Sequence, residues 1–369
     1  MLLVETYVWG VLKTMNIKMY SGRFAFDQSR FDSGHNTIGG YIKFSQLNWL
    51  PTNSKDAKVS IFTDGYLKLR WLKKNRKNTC VGLALEPREI NPRITGDLRI
   101  CRDRLDLILT HDDEILEKFP LARQYIVGGS LFKNSDRLTS SKKNGRVSIV
   151  ISDKKVTEGH IFRHEIVEKL ASKYDIDVFG VGIKPFADRG DPYSSYSYTI
   201  VVENVKSDFF FTEKLIDPLL SKCIPIYWGA RDIKSYFPNE GILEFDDIID
   251  LEKILQGLQL KKPLVNQETI RTNQQIAVNF MSKEWNIQSA ICKELYGLVL
   301  PKLSTLIPNL EEFLSGNLSF EEAEPTIFKI GSHRSLIRVG LQSRFHFAGN
   351  ILRYFKKHFR MKGLKKELS

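Results

Sequence analysis

Residues 199–229 read TIVVENVKSDFFFTEKLIDPLLSKCIPIYWG and join two strand-like runs through a polar loop and a helix. The β-branched run at 200–202 predicts a strand that is covered on both faces. Asn204 follows at the strand's carboxyl end, which is where open α/β sheets bind their ligands. Thr212 predicts a helix cap just before Lys214, so free main-chain N–H groups, the helix dipole and an ammonium group converge. This stretch therefore predicts an α/β fold with an anion-binding site.

The same stretch resembles the donor-site signature of glycosyltransferase family 10, the α-1,3/1,4-fucosyltransferases, and is most similar to the bacterial members. The family pattern runs F-E-N-S, a short loop, an aromatic residue, T-E-K, a helix, and then I/V-P-I/V with an aromatic or aliphatic residue and Gly. The corresponding letters here are VENV at 202–205, FFFTEK at 209–214 and IPIYWG at 224–229. So many typed positions in one order are far more specific than a single glycine motif.

The resemblance implies an α/β protein of the GT-B architecture, with two Rossmann-like domains that face each other across a cleft. It also implies an inverting glycosyltransferase that moves fucose from GDP-fucose to a hydroxyl of an oligosaccharide or lipid-linked glycan, in glycan biosynthesis or protein glycosylation. Two alternatives stay open. One is a GT-B transferase that uses another nucleotide sugar, and the other is a non-catalytic protein that binds glycans or a membrane surface.

Apolar runs typical of strands alternate with amphipathic segments of helix length along most of the chain, as in parallel α/β units. In a first block, strands are predicted at 17–20, 59–63, 80–85, 105–110 and 124–127. In a second block, strands are predicted at 147–151, 176–181, 200–202, 224–228 and 241–245, with helices at 160–174 and 251–258. Apolar spacing over 267–300 predicts one long or broken helix that could span both blocks.

The polar stretch KNSDRLTSSKKNGR at 133–146 separates the two blocks and is typical of a linker. The predicted organisation is an N-terminal Rossmann-like acceptor domain at 15–132, the linker at 133–146, a C-terminal Rossmann-like donor domain at 147–300, a connecting segment at 301–330 and a basic tail at 331–369. Residues 1–14 precede what resembles a natural first strand, so we interpret them as an extension.

Composition predicts a folded two-domain protein with reduced thiols. A chain of 369 residues with 42% hydrophobic and 11% aromatic content can bury two cores. The four cysteines are far apart and form no C-x-x-C pair, so we expect them to be reduced and buried. No run approaches the length of a spanning helix, and the first fifteen letters, MLLVETYVWGVLKTM, contain Glu5 and no basic flank. Neither a signal peptide nor a transmembrane helix is therefore predicted.

Basic residues concentrate at the end of the chain, where residues 331–369 hold ten Lys and Arg against one acidic residue and contribute +9 of the net charge of +12. Interleaved aromatic and aliphatic residues favour a basic amphipathic helix on an anionic membrane, as in bacterial members of the family. A helix packed on the enzyme body or on a partner is the alternative. Nucleic-acid binding is the weakest interpretation, because no nucleic-acid module accompanies the charge. We therefore expect a cytoplasmic protein at the inner face of the membrane.

Two basic residues are candidates for binding the leaving phosphates of a nucleotide sugar, a step that requires positive charge. Lys214 lies in the T-E-K match, and a solvated helix lysine is its alternative. Arg163 is expected in the first turn of the helix at 160–174, behind a loop with Gly159, where the family has an arginine that can bind two phosphate oxygens. A surface arginine is the alternative, and its competitors are Lys154, Lys155 and His160.

Further donor contacts are expected from Glu213, Asn204 and Phe210. The matching family glutamate accepts hydrogen bonds from ribose or sugar hydroxyls, although Glu213 could instead serve only the helix dipole. Asn204 is expected to fix the loop or to contact the donor. Phe210 occupies a position where the family often has a Tyr that contacts the nucleotide. Val205 replaces the usual Ser, and Pro218 predicts a lost hydrogen bond or a kink in the helix.

Glu86 is the candidate catalytic base in the first block. It follows the predicted strand 80–85 in LALEPREI, which is similar to the N-L-E-S-P of animal family members with their proposed catalytic glutamate. Glu89 competes with it, and a strand-end carboxylate in a salt bridge is the alternative. With base and leaving group on opposite faces of the sugar, we expect a single displacement with inversion.

No metal site and no required cofactor are predicted. The D-x-D at 175–177 runs into an apolar strand, and the acidic pairs at 112–113 and 246–247 are typical of helix starts. Basic residues are expected to do the work of a metal at the leaving phosphates, so Mn²⁺ or Mg²⁺ would at most stimulate the reaction.

Overall fold

The computed structural model describes residues 16–20, 48–49, 54–132, 138, 142–180, 183–186, 188–259, 265–307, 309–319 and 322–323. The predicted extension at 1–14 and the basic tail at 331–369 lie outside these residues. Most of the linker at 133–146 and the end of the connecting segment at 301–330 also lie outside them.

The described residues of the first block form a six-stranded parallel sheet in the order β2, β1, β3, β4, β5, β6. Its strands are β1 (Asn16–Tyr20), β2 (Asn48–Trp49), β3 (Val59–Thr63), β4 (Thr79–Ala84), β5 (Leu107–Thr110) and β6 (Ala122–Gln124). All of β3 and most of β4 are buried, as expected for strands covered on both faces. Because β2 and β3 pair with opposite sides of β1, the topological switch point lies between β1 and β3.

The described residues of the second block form a five-stranded parallel sheet in the order β11, β10, β9, β7, β8. Its strands are β7 (Val147–Val150), β8 (Asp177–Phe179), β9 (Tyr198–Val202), β10 (Ile224–Trp228) and β11 (Leu243–Glu244). Every residue of β9 and β10 is buried, which confirms the two strands predicted in the opening stretch. The switch point of this sheet lies between β7 and β9.

Helices connect and cover the strands. They are α1 (Leu69–Lys74), α2 (Ile94–Cys101), α3 (Asp113–Lys118), α4 (Glu158–Leu170), α5 (Glu213–Leu220), α6 (Ile248–Gln259), α7 (Gln267–Val278), α8 (Lys283–Tyr296) and α9 (Leu310–Leu314). Short 3₁₀ turns occupy Asp64–Tyr66, Arg102–Arg104, Ile233–Ser235 and Leu303–Thr305. Two helices begin two or three residues before their predicted starts. Thr157 caps α4, and Asp247 accepts hydrogen bonds from the first turn of α6.

The segment at 267–300 is a broken helix that connects the two sheets, as predicted. The break falls before Ser282, whose side chain caps α8. On one side of the break α7 packs on α5 of the second block, and on the other side α8 packs on β5 of the first block. Arg123 of β6 forms an ion pair with Glu294 of α8 at 3.3 Å between Nε and Oε2. The buried Trp285 and Ile291 belong to a core that includes side chains of both blocks.

The two sheets meet at their carboxyl edges. The ring of His111, which follows β5, packs on the ring of Phe210, which follows β9, at 4.3 Å between centroids. The main-chain N–H of Gly128 donates to the carbonyl of Phe211 at 3.0 Å. Two parallel α/β units joined in this way form the GT-B architecture, so the predicted fold class is confirmed.

Several smaller predictions can be compared with the structure. All four cysteines are free thiols in buried positions, as predicted. Asp112 caps α3, which confirms the acidic helix start at 112–113. Within the described part of the chain, no helix is both long enough and apolar enough to cross a membrane.

Candidate functional site

A cavity of about 400 Å³ opens at the carboxyl ends of β7 and β9. This is the switch point of the second sheet, where the crevice between diverging connections makes room for a ligand. The cavity is lined by the end of β7, the loop that starts at Asn204, one face of α4 and the first turns of α5. Four of the six predicted site residues, Arg163, Asn204, Glu213 and Lys214, lie around it.

The start of α4 is held against the end of β9 by a close main-chain approach. A Cβ on Gly159 would lie 1.7 Å from the carbonyl oxygen of Glu203, so only glycine fits there. The side chain of Thr157 accepts a hydrogen bond from the N–H of His160, and the ring of His160 accepts one from the N–H of Thr157. This capping box starts the helix at Glu158. Arg163 therefore lies in the second turn of α4, and the predicted first-turn position is wrong.

Arg163 is 5% exposed and is fixed by the end of β9. Its Nε and Nη2 donate to the carbonyl of Val202 at 2.9 and 2.6 Å, and Nη2 also donates to Oδ1 of Asn204 at 2.9 Å. Nη1 has no partner among the described residues. Burial lowers the pKa of Arg163, and the carboxylates of Glu203 and Glu213 act in the opposite direction. The guanidinium group thus stays charged, with N–H donors left for a ligand.

The start of α5 is organised around a fully buried carboxylate. Oε1 of Glu203 accepts hydrogen bonds from the main-chain N–H and the hydroxyl of Thr212 at 2.7 and 3.0 Å. Thr212 in turn caps α5, because its Oγ1 accepts from the N–H of Lys214 at 3.3 Å. Nζ of Lys214 lies 3.5 Å from Oε2 of Glu203. Glu203 is therefore structural, and it holds the ammonium of Lys214 over the positive end of the helix.

Glu213 lies between two ammonium groups. Its carboxylate oxygens are 3.3 Å from Nζ of Lys214 and 3.5 Å from Nζ of Lys283. Burial alone would raise the pKa of Glu213, but Lys214 and Lys283 outweigh it and lower that pKa to about 2. Burial would likewise lower the pKa of Lys214, yet the carboxylates of Glu213 and Glu203 raise it. Glu213 is thus an ionised hydrogen-bond acceptor, and Lys214 is a firmly charged cation.

The predicted competitors of Arg163 have other surroundings. His160 lines the cavity, but its Nδ1 is engaged with Thr157 at 2.7 Å from Oγ1. Burial and the cations Arg163, Lys154 and Lys214 lower the pKa of His160 to about 4, so its ring is neutral at physiological pH. Lys154 lines the cavity as an exposed side chain. Arg163 is the buried cation of this group.

Three further residues of the site were not predicted from the sequence. Lys283, the first residue of α8, reaches Glu213 across 70 positions of the chain, and no local pattern indicates this. Arg189 and Asp217 both line the cavity. Oδ1 of Asp217 accepts hydrogen bonds from the hydroxyl of Ser130 and the N–H of Leu131, at 2.6 and 3.2 Å. A charged residue on the buried face of α5 was the available signal for Asp217.

The remaining two predicted residues, Glu86 and Phe210, lie where the two sheets meet. Phe210 is buried against His111 and is not part of the cavity lining. Glu86 is exposed in the loop after β4. The neighbouring carbonyl of Leu85 is 3.0 Å from Nε2 of His111, so the loop of Glu86 is linked to Phe210 through one ring. Glu89, the predicted competitor, is also exposed.

A larger cavity of about 640 Å³ lies beyond the ends of β10 and β11. Its cations are already paired with carboxylates, Lys206 with Asp246 and Lys253 with Asp250. None of the six predicted site residues lines it. We therefore place the candidate site in the smaller cavity, where four of the predicted residues and a helix start converge.

Metal coordination has little support in the acidic pairs of the sequence. Asp175 and Asp177 both form ion pairs with Arg146, at 3.1 and 2.8 Å. In the described ranges, no group of three or more His, Cys, Asp or Glu is arranged to hold a metal ion.

A GT-B architecture with a cation-lined cavity at the switch point of its second sheet is typical of a protein whose C-terminal half is suited to an anionic ligand. Residues 140–299 match the family model described as glycosyltransferase family 10 (fucosyltransferase) C-term. Residues 140–299 of this chain are thus similar to the C-terminal part of glycosyltransferase family 10.

Individual relatives match over shorter stretches. Alpha-(1,3)-fucosyltransferase C of Drosophila melanogaster is 25% identical over 104 residues, which are 27% of this chain and 24% of that protein. Alpha-(1,3)-fucosyltransferase FucT of Helicobacter pylori is 32% identical over 74 residues, 18% of this chain and 16% of that protein. The chain thus matches about a quarter or less of the length of these relatives. A crystal structure of an alpha1,3-fucosyltransferase with GDP is 12% identical, with 84% of this chain and 92% of that chain covered and a TM-score of 0.45.

Proposed function

We propose that this chain is an inverting, α-1,3-fucosyltransferase-like enzyme that transfers fucose from GDP-fucose to a hydroxyl of a glycan acceptor. The observation that carries the proposal is the convergence of Arg163, Asn204, Glu213 and Lys214 on one cavity at the switch point of the second sheet. The match of residues 140–299 to the fucosyltransferase family model supports fucose as the transferred sugar.

The cations of the cavity suit a leaving nucleoside diphosphate. In this proposal Lys214 and the start of α5 stabilise the charge that develops on the phosphate as the bond to the sugar breaks. The fixed guanidinium of Arg163 supplies further N–H donors to the phosphate oxygens. Both groups are held in place by Glu203, Val202 and Asn204 before any donor binds, so little reorganisation accompanies the reaction.

Glu213 and Asn204 suit the uncharged part of the donor. An ionised carboxylate that lies between two ammonium groups accepts hydrogen bonds and repels a phosphate. We therefore assign Glu213 to hydroxyls of the ribose or of fucose. The side chain of Asn204 touches Arg163 and fixes the loop beside the same hydroxyls.

Glu86 is the proposed base. It lies at the carboxyl edge of the first sheet, which meets the carboxyl edge of the second sheet through His111 and Phe210. A carboxylate on that side can remove the proton of the acceptor hydroxyl while the diphosphate leaves on the other side, which inverts the anomeric centre. We propose that residues 15–132 hold the acceptor and residues 147–300 the donor.

Donor binding provides the first test. Isothermal titration calorimetry of the full chain with GDP-fucose, GDP-mannose, UDP-glucose and a CDP-linked sugar should give measurable affinity for the GDP sugars only. In a transfer assay with the same donors, only GDP-fucose should donate its sugar. A glycan array with GDP-fucose then identifies the acceptor. Preference for a uridine or cytidine nucleotide sugar would contradict fucosyl transfer. It would support the alternative, a GT-B transferase that uses another nucleotide sugar. Binding of glycans without transfer or donor hydrolysis would support the non-catalytic alternative.

The reaction is proposed to need no metal cofactor, because Lys214 and Arg163 supply positive charge at the leaving group. Turnover should persist in EDTA, and Mn²⁺ or Mg²⁺ should change it by less than about tenfold. Complete loss of turnover in EDTA, with recovery on addition of one of these ions, would contradict this.

The basic tail is proposed to hold the enzyme on the inner face of an anionic membrane. Its interleaved aromatic and basic residues support this, since each basic residue near such a surface contributes about 1 kcal/mol. Removal of residues 331–369 should abolish binding to liposomes that contain phosphatidylserine. Unchanged binding would favour the alternative in which the tail packs on the enzyme or on a partner.

A further inference from the structure

Asp64 occupies a distinctive place in the first sheet. It directly follows β3, at the switch point between β1 and β3, and is partly buried. Its φ is +34°, in the left-handed region that residues with a side chain rarely adopt. Strained residues of this kind persist where the surrounding structure needs a particular side chain at that point, and they concentrate at functional sites.

The side chain of Asp64 holds the main chain of the Glu86 loop. Its Oδ1 accepts hydrogen bonds from the N–H of Leu85 at 3.3 Å and from the N–H of Glu86 at 3.4 Å. The side chain of Asn91 donates to the same carboxylate. Asp64 therefore fixes the two peptide units that determine where the side chain of Glu86 starts.

The same loop is held from its other side by His111. Nε2 of His111 donates to the carbonyl of Leu85 at 3.0 Å, which requires the tautomer with its proton on Nε2. Burial lowers the pKa of His111 to about 4, so the ring is neutral and keeps this tautomer at physiological pH. Because the ring also packs on Phe210, the loop is tied to the second sheet.

We infer that Asp64 is a positioning residue for the proposed base: it holds the N–H groups of Leu85 and Glu86 so that the carboxylate of Glu86 faces the cleft. This inference rests on the proposed function, in which Glu86 takes the proton of the acceptor hydroxyl. Asp64 would thus be a second functional carboxylate, one that does not touch the substrate. This role explains why Asp64 keeps a positive φ.

The ionisation of Asp64 makes this role testable through pH. Burial and the like charge of Glu86 raise the pKa of Asp64 to about 7, against the hydrogen bonds from Glu86, Leu85 and Asn91. Glu86 is the charged side chain that acts on it, and His111 beyond Leu85 is neutral. A carboxylate holds two N–H donors more strongly than a carboxylic acid does, so the hold on the loop tightens as pH rises through about 7.

Two substitutions separate positioning from folding. Asp64→Gly removes the carboxylate but accepts a positive φ without strain, so the variant should fold. Asp64→Asn keeps one acceptor oxygen and cannot ionise. We expect Asp64→Gly to lower kcat about tenfold at pH 8 with an unchanged KM for GDP-fucose, because a small misplacement of a catalytic group costs this much. In Asp64→Asn, the rise of kcat through pH 7 should disappear. Asp103→Asn, at a side chain that is 87% exposed, is the matched control.

Hydrogen exchange gives a readout that does not depend on turnover. Peptides that contain Leu85 and Glu86 should exchange faster in Asp64→Gly than in the wild type, whereas peptides of the second sheet should not change. Equal exchange in these peptides, or a wild-type kcat and pH profile in both variants, would overturn the inference. If Glu86→Gln abolishes turnover while both Asp64 variants behave like the wild type, only the inference fails. If Glu86→Gln keeps full turnover, the assignment of the base fails, and the positioning role of Asp64 fails with it.

Discussion

The carboxyl edges of the two sheets have the same strand topology and opposite charge. In both sheets the second strand lies outside the first, and the third to fifth strands follow on the other side. The edge of the second sheet presents cations around its cavity, namely Lys154, Arg163, Arg189 and Lys214. The edge of the first sheet presents carboxylates in the segments after β3, β4 and β5, namely Asp64, Glu86, Asp112 and Asp113.

In the proposed function, one architecture serves two chemical tasks. Strand order places a binding edge in each half of the chain. The side chains on that edge decide whether it binds an anion or accepts a proton from the acceptor hydroxyl. The two charge patterns come together at Asp113 of the first half. Burial and the carboxylates of Asp208 and Asp112 raise the pKa of Asp113, and Arg231 of the second half opposes them.

The largest expected effect comes from neutralising the acidic edge. Glu86→Gln should lower kcat roughly 10³-fold, since general base catalysis contributes about 10²–10⁴. Donor affinity measured by calorimetry should not change, because the cavity of the second sheet is untouched. Glu89→Gln is the matched control and should keep wild-type kcat. If Glu89→Gln loses turnover while Glu86→Gln keeps wild-type kcat, then Glu89 is the base and Glu86 is not.

The next effect comes from the basic edge. Lys214→Ala removes the cation that neutralises Glu213 and the fully buried Glu203, and it should lower kcat roughly 10²–10³-fold. GDP affinity should fall as well, which calorimetry can measure. Lys169→Ala, on the exposed face of α4, controls for the loss of a lysine and should retain both activity and affinity. Normal GDP affinity in Lys214→Ala would mean that the phosphates bind elsewhere.

A third prediction concerns stability at the border of the two edges. Asp217 is 2% exposed, and burial, with the charge of Glu213, raises its pKa to about 7 against the hydrogen bonds from Ser130 and Leu131. Its protonation therefore stabilises the fold below about pH 4, and that stabilisation is lost as pH rises through about 7. The ordinary value of 3.8 and the raised value of about 7 correspond to roughly 4 kcal/mol at most.

Asp217→Asn tests this directly, because the amide cannot ionise and keeps one acceptor for Ser130 or Leu131. Urea unfolding of both proteins should be measured between pH 4 and pH 8. As pH rises, the free energy of unfolding of the wild type should fall relative to that of the variant. A difference that stays constant across this range would show that Asp217 is ionised throughout.

These predictions also show which parts of the molecule the sequence could reveal. Asn204, Glu213 and Lys214 lie within eleven positions of one another, so a strand end and a helix start were enough to predict that they meet. Arg163 was predicted from its helix and from the family pattern, although the predicted turn was wrong, because the capping box of Thr157 and His160 starts the helix two residues before the predicted start.

Contacts between distant segments could not be predicted in this way. Ser130 meets Asp217 across 87 positions, and Lys283 meets Glu213 across 70. Each pairing depends on how the broken helix and the segment after β6 pack between the sheets, which no local period encodes. The strained Asp64 was equally hidden, because aspartate is an ordinary residue after a strand until its φ is known.

The smallest expected effect belongs to Lys283, the second cation at Glu213. Its removal leaves Lys214 beside that carboxylate, so Glu213 stays ionised at neutral pH and only its orientation suffers. Lys283→Ala should therefore raise KM for GDP-fucose about tenfold and change kcat little, since the lost interaction is the same in ground and transition states. Lys283→Arg should restore part of the affinity.

Gly129 offers an independent way to disturb the same contact. A Cβ on Gly129 would lie 2.3 Å from Cε of Lys283, so Gly129→Ala must displace the lysine and should raise KM as Lys283→Ala does. Because Gly129 has a φ of +91°, alanine there also strains the backbone; Gly145→Ala is the control, since its φ is +75° and a Cβ there meets open space. If Gly129→Ala and Lys283→Ala lower kcat but leave KM unchanged, then Glu213 acts on the reacting sugar in the transition state, and the basic edge takes part in the chemistry as well as in binding.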